Sequence, residues 1–198
     1  MRRGFVLGGV AAGVILILLG AASIIVGALG RSDVRDRIAE EQIIGTPDMT
    51  PEATDAALTD AGLSDAVAVP DCSVADEEVD TGSEAECFAK YMRVHALEST
   101  GGQVYAEMPR AVFEDTGKPV PEDQAAAALE KGTAIDNPAR QTWVTATALG
   151  TALNTSYFAE QVADFSIVVG IALVLIGIGL LVLTYGALRP QLNSRAAP

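Results

Sequence analysis

Two long apolar runs frame this chain, at residues 5–29 and 165–185, and every charged side chain lies between or outside them. A bilayer core of about 30 Å is crossed by about 20 helical residues, and the two runs supply 25 and 21. Both are too long and too uniformly apolar for a helix lying on a membrane surface. The first also exceeds the roughly 7–15-residue core of a cleaved signal, so it reads as an uncleaved anchor behind the topogenic pair Arg2-Arg3.

Between the runs the pattern is mostly helical. Residues 31–44 contain no Gly or Pro, and Val34 and Ile38 keep a helical spacing, so the first helix is predicted to continue to Gly45-Thr46-Pro47. A short helix follows, with Thr50 as N-cap, Pro51 at its first position and Gly62 at its end. Residues 63–70 are apolar and compatible with either strand or loop, and 71–86 form an acidic connection. Ser83-Glu84-Ala85-Glu86 reads as a capping box opening a helix that Gly101-Gly102 closes. On that helix Phe88, Tyr91, Met92 and His95 share a face, which predicts burial. Residues 102–120, with Pro109 and Pro119, read as loop, and 121–131 as an alanine-rich helix ended by Gly132.

Asn137-Pro138 is a strong helix start, and nothing after it forbids helix until Pro190. Residues 138–189 would make a helix about 78 Å long, of which roughly 40 Å lies outside the bilayer. Its outer part carries Trp143, Ala146, Gly150, Leu153 and Tyr157 at alternating spacings of three and four. That is a seam for a partner helix, and the outward extension of the first span is the natural partner. Inside the runs, Gly13, Gly20 and Gly27 recur every seven residues, as do Gly170, Gly177 and Thr184, and Gly9 with Gly13 forms a GxxxG. Such stripes let helix backbones approach closely, whether within one chain or between chains.

The predicted fold is therefore mainly α: a two-transmembrane-helix hairpin, its long second helix extending outward, with a small, mostly helical, disulfide-pinned extracytoplasmic domain. The divisions are a tail at 1–4, spans at 5–29 and 165–186, an acidic domain at 30–164 and a second tail at 187–198.

Charge assigns the sides. The chain has a net charge of −13, yet residues 31–164 hold nine Lys or Arg against 26 Asp or Glu. That balance excludes a basic nucleic-acid binder. The tails carry only Arg2, Arg3, Arg189 and Arg195, which places both termini in the cytoplasm of a two-pass plasma-membrane protein. Arg31, Arg35 and Arg37 count against this orientation, whereas the cysteines favour it. Cys72 and Cys87 are the only two, and both lie in the acidic segment. Paired, they close a loop of about 16 residues worth roughly 3 kcal/mol in the chain-entropy model, in keeping with an oxidising exterior. The alternative is two unpaired buried thiols; a zinc site wants four ligands, and one His with two Cys is a poor set.

Candidate chemistry is sparse. His95, the only histidine, reads as a core residue with a pH-sensing role open to it. No nucleophile–base pair, phosphate loop or dinucleotide fingerprint is present. The acidic run Asp76-Glu77-Glu78-Val79-Asp80 lacks the spacing of a calcium loop, and the spans offer only Ser23, Ser166, Thr184 and Tyr185 to a pore. The expectation is a protein without catalytic residues, cofactor or metal. It would act through contacts with other membrane proteins or itself, with a ligand, ion or pH sensor as the alternative and an enzyme or channel third.

At His95-Ala96-Leu97-Glu98, Gly101-Gly102, Tyr105-Ala106-Glu107 and Asn137-Pro138-Ala139-Arg140, the chain resembles two-span actinobacterial envelope membrane proteins of unknown function. The resemblance covers both spans and about half of the segment between them, and implies the same hairpin without assigning functional residues. The chain departs from the group in its cysteine pair and its 121–131 helix. Some relatives carry the label aromatic ring-opening dioxygenase; a two-His, one-carboxylate iron site cannot be built from one histidine.

Overall fold

The computed structural model describes residues 2–186. Met1 and the tail at 187–198, including Arg189, Pro190 and Arg195, lie outside the described residues. The protein is mainly helical: α1 (Arg2–Glu40), α2 (Pro51–Asp60), α3 (Gly82–Ser99), β1 (Ala111–Phe113), α4 (Glu122–Glu130), β2 (Ala134–Asp136) and α5 (Pro138–Gly186). Val6–Glu40 of α1 and all of α5 are long and apolar enough to cross a membrane. The chain divides into two compact units, Met1–Asp36 with Phe158–Pro198, and Arg37–Tyr157.

In the first unit α1 and α5 pack antiparallel, and the glycine stripes face each other within one chain. A Cβ on Gly20 would lie 2.6 Å from the Gly170 carbonyl oxygen, and one on Gly170 would lie 2.6 Å from that of Gly20. The same reciprocity joins Gly13 to Gly177, while Gly27 abuts the Ala163 carbonyl and Gly9 the Thr184 side chain. With every seventh residue reduced to hydrogen, the two backbones come into direct contact. Dispersion and weak Cα–H···O contacts then hold them where hydrophobic exclusion is absent. The Ser23 hydroxyl donates to the Ser166 carbonyl at 2.8 Å. Beyond the apolar runs, buried Glu160 receives the Nε groups of Arg31 and Arg35 at 3.2 and 2.7 Å, and Arg31 also reaches Asp164 at 3.2 Å. Arg31 and Arg35 thus ion-pair with the facing part of α5.

In the second unit α1 stops at Glu40, four residues short of the predicted Gly45 break. Gln42 turns left-handed (φ 51°), and residues 43–45 run extended beside 76–79. The Val79 and Asp76 amides donate to the Ile43 and Gly45 carbonyls, and the Gly45 amide donates to Glu77, at 2.9–3.0 Å. These long-range bonds bury Val74 and Val79 completely, a tertiary gain that overrides local helix preference. Gly45 is required there because a Cβ would collide with the Val74 carbonyl oxygen.

α2 begins as predicted, the Thr50 side chain accepting the Ala53 amide at 3.2 Å. α3 begins one residue before Ser83, because Thr81 rather than Ser83 is the N-cap and Glu84 rather than Glu86 closes the box. Both tetrapeptides fit the motif, and the upstream one leaves Glu84 free to collect the Asp80 amide as well. The segment read as loop at 102–120 contains β1, which pairs antiparallel with β2 in the register Val112↔Ile135. Three-residue strands carry no periodic signal of their own. They form because Ala111 and Ala134 pack under Ala125 and Ala128 of α4.

The main core of this unit joins Leu58 of α2, Val67, Val94 and Leu97 of α3, Met108, and Trp143 of α5. The 63–70 segment resolves as turn and loop rather than strand, with Val67 held by the Leu63 carbonyl at 3.0 Å.

Candidate interaction groove

The capping box anchors the N-terminus of α3, and the Cys72–Cys87 disulfide ties the acidic connection to it with Cα atoms 6.1 Å apart. Fully buried Tyr91 donates its phenol proton to the Cys72 carbonyl, and Met49 and Val74 complete this second core. Burial pushes the Tyr91 phenol up, with the Glu52 and Asp71 carboxylates adding to it. Burial also works against ionised Glu84, but the amides and side chains of Asp80 and Thr81 more than offset it, and the carboxyl sits below its usual range.

The predicted buried face of α3 is where structure and expectation part. Of Phe88, Tyr91, Met92 and His95, only Tyr91 is buried. The core takes instead Ala85, Cys87, Ala89, Val94, Ala96 and Leu97. Small alanines set close packing on these faces, so the large side chains at 88, 92 and 95 are left as the wall of an open groove. Its larger part, about 730 Å³, runs between Phe88 and Met92 of α3, Ile38 and Ile43 at the end of α1, and Leu149 and Leu153 of α5. Arg37, Glu40 and Glu41 line it as well. Met92 is shared with an adjoining part of about 640 Å³, lined by His95 and Ser99 opposite Gln141 and Thr145.

The α5 seam divides accordingly. Trp143 and Ala146 pack on the α2–α3 core, not on an extension of α1, since α1 has already ended. No atom lies within 4 Å of where a Gly150 Cβ would be, so no helix covers that position. Leu153 is buried beside the groove and Tyr157 is half-buried. Ile43 and Leu149 are groove residues that sequence reasoning missed. Leu149 falls off the seam, so the spacing gave no signal for it, and in the structure it is half exposed.

At one edge of the groove His95 Nε2 lies 3.1 Å from Asp48 Oδ2. The Thr46 side chain, above all, holds the Asp48 carboxyl below its usual range, against a desolvation penalty, with the Asp48 amide and His95 adding to the effect. Asp76, Glu77, Glu78 and Asp80 point into solvent while their backbone serves the 43–45 pairing. Among the described residues no three His, Cys, Asp or Glu side chains converge. The site's chemistry is thus apolar contact framed by charge. No family model, no curated protein and no solved structure matches the chain.

Proposed function

We propose that this is a non-enzymatic, two-pass plasma-membrane protein with both termini in the cytoplasm, whose acidic 30–164 domain outside the membrane binds another membrane protein. The observation that carries the reading is the open apolar groove along α3 and α5. Its fitting occupant is an amphipathic juxtamembrane helix of a partner anchored in the same bilayer. The ridges Phe88–Met92 and Leu149–Leu153 repeat at four residues, which is how one helix receives another. Ile38 and Leu153 lie nine and twelve residues from the apolar runs, about 14 and 18 Å of helix rise, within reach of such a partner. Arg37, Glu40 and Glu41 supply the polar rim that interfaces carry. The outside placement is supported by the disulfide and by Arg2 and Arg3.

A photo-crosslinking residue at Met92, activated in native membranes, tests this. The expected product is a discrete adduct with a membrane protein, lost in Leu149→Asp and absent when the probe replaces exposed Glu130. No adduct, or the same adducts from position 130, would overturn it, and an adduct of twice the chain's own mass would assign the groove to a second copy. Tags at either terminus reacting in intact cells would sink the orientation.

The His95–Asp48 contact supports a second reading, a pH sensor at the groove edge. Partner crosslinking that varies between pH 5 and 8 in the parent and not in Asp48→Asn would favour it.

A further inference from the structure

At the start of α5, two arginines line one cleft of about 430 Å³ whose walls include Tyr105, Arg110, Asp136, Asn137, Arg140 and Gln141, the last shared with the smaller part of the groove. The backbone holds them in place. β1 and β2 pair Ala111 with Asp136, and the Asn137 amide donates to the Arg110 carbonyl at 3.0 Å. The Asn137 side chain ties the Pro109 carbonyl at 2.9 Å and caps the Ala139 amide at 3.0 Å. Arg140 thus leaves the first turn of a 49-residue helix beside Arg110. Its guanidinium centre lies 4.0 Å from the Tyr105 ring centroid.

Among the described residues these two cations are unpaired, as Arg93, Lys118 and Lys131 are, and what sets them apart is that they line one cleft together. Arg31, Arg35 and Lys90 each sit on a carboxylate, whereas neither Arg110 nor Arg140 makes an ion pair among the described residues. Their segment, 31–164, holds 26 Asp and Glu. The Arg140 Nε is moreover buried with no hydrogen-bond partner, and a buried polar group left unsatisfied costs stability and calls for an explanation. Stacking on Tyr105 presses one face of the guanidinium against the protein and leaves its remaining N–H edge to meet a planar acceptor in the cleft.

We propose that this cleft binds a small soluble carboxylate. Two guanidinium forks and the positive end of α5 receive the carboxylate. Asp136, on the same cleft, disfavours multiply charged anions and offers an acceptor to an ammonium beside the carboxylate, so an α-amino acid fits better than a bare acid or a phosphate. Arg140 precedes the apolar run at 165 by 25 residues, about 37 Å of helix rise, which favours a dissolved ligand over a lipid headgroup. The cleft meets the smaller part of the groove at Gln141, but Arg110, Asp136 and Arg140 line neither part of it, so substitutions there test the cleft separately from the partner groove.

The test is calorimetric titration of the full chain in neutral-lipid nanodiscs with glycine, glutamate, acetate, succinate and inorganic phosphate. Saturable binding of an amino acid or a simple carboxylate is expected. Arg110→Gln should weaken it about tenfold to a hundredfold, the worth of a charged hydrogen-bond pair, and Arg110→Lys should restore only part. Arg110 is exposed, and an unchanged circular dichroism melt of its variant separates loss of binding from loss of fold. Asp136→Asn should weaken amino acids more than acetate. Overturning results are no saturable binding of any probe, binding undiminished by Arg110→Gln, binding of phosphate alone, or a response to anionic-lipid nanodiscs in place of the soluble probes.

Discussion

Gly20→Ala is the sharpest test of the helix pair. The new methyl would sit 2.6 Å from the Gly170 carbonyl oxygen and 2.8 and 2.9 Å from the Val174 Cγ2 and backbone nitrogen. Ordinary contact begins at 3.4 Å, and two of these atoms are helix backbone. The helices must therefore part by about 0.8 Å at this level, a gap that forfeits a quarter to a half of each facing dispersion well. Gly13–Gly177 and Gly27–Ala163, one heptad either side, would loosen with it. Overpacking of this kind costs about 1–3 kcal/mol. Gly179→Ala provides the internal control, since no atom lies within 4 Å of its added Cβ. That substitution gains helix propensity of up to about 1 kcal/mol and should be neutral or stabilising. Equilibrium unfolding of both variants in mild detergent, followed by helicity against added SDS, reads the difference. If Gly20→Ala and Gly179→Ala shift the midpoint alike, the backbone contact inferred for the stripes is wrong.

Gly45→Ala should destabilise the second unit by about 3 kcal/mol or more, because its methyl collides with the Val74 carbonyl and breaks the pairing of 43–45 with 76–79; thermal unfolding followed by fluorescence of Trp143, the chain's one tryptophan, measures it. Cys72→Ser or reduction should cost roughly 3 kcal/mol for a loop of this size, read as a lowered denaturation midpoint, with no further effect of reductant on the variant. Glu84→Gln should cost a few tenths to about 1 kcal/mol through the capping box. Because the Glu84 carboxyl is depressed in the folded state, its contribution is fully present above its ordinary value of 4.5 and fades as pH falls through the lower folded value. The stability gap between parent and Glu84→Gln should therefore close in acid, by circular dichroism melts from pH 6 to 3, and a gap independent of pH would contradict the capping geometry.

What could be read without coordinates was whatever a few neighbouring residues decide. Thr50-Pro51, Gly62, Gly101-Gly102, Gly132 and Asn137-Pro138 act over one turn of chain, and the helix limits they mark were legible. So were the two apolar runs, where composition alone meets the length a bilayer demands, and the cysteine pair, because only one pairing exists. The capping box was legible as a motif but ambiguous by two residues, since Thr81 and Ser83 both satisfy it and tertiary position chose between them.

Tertiary structure alone decided the rest. Which face of α3 enters the core depends on whether alanines or large side chains allow the neighbouring elements to approach, and the close-packed solution left Phe88, Met92 and His95 at a groove. The early end of α1, the strands at 111–113 and 134–136, and the placing of Arg110 beside the first turn of α5 all rest on hydrogen bonds between residues far apart in the chain. The heptad of glycines announced close packing, but only the facing carbonyls identified its partner as the other end of the same chain. Local propensity contributes tenths of a kcal/mol per residue, and a buried side chain or a long-range pairing outweighs it wherever the two disagree.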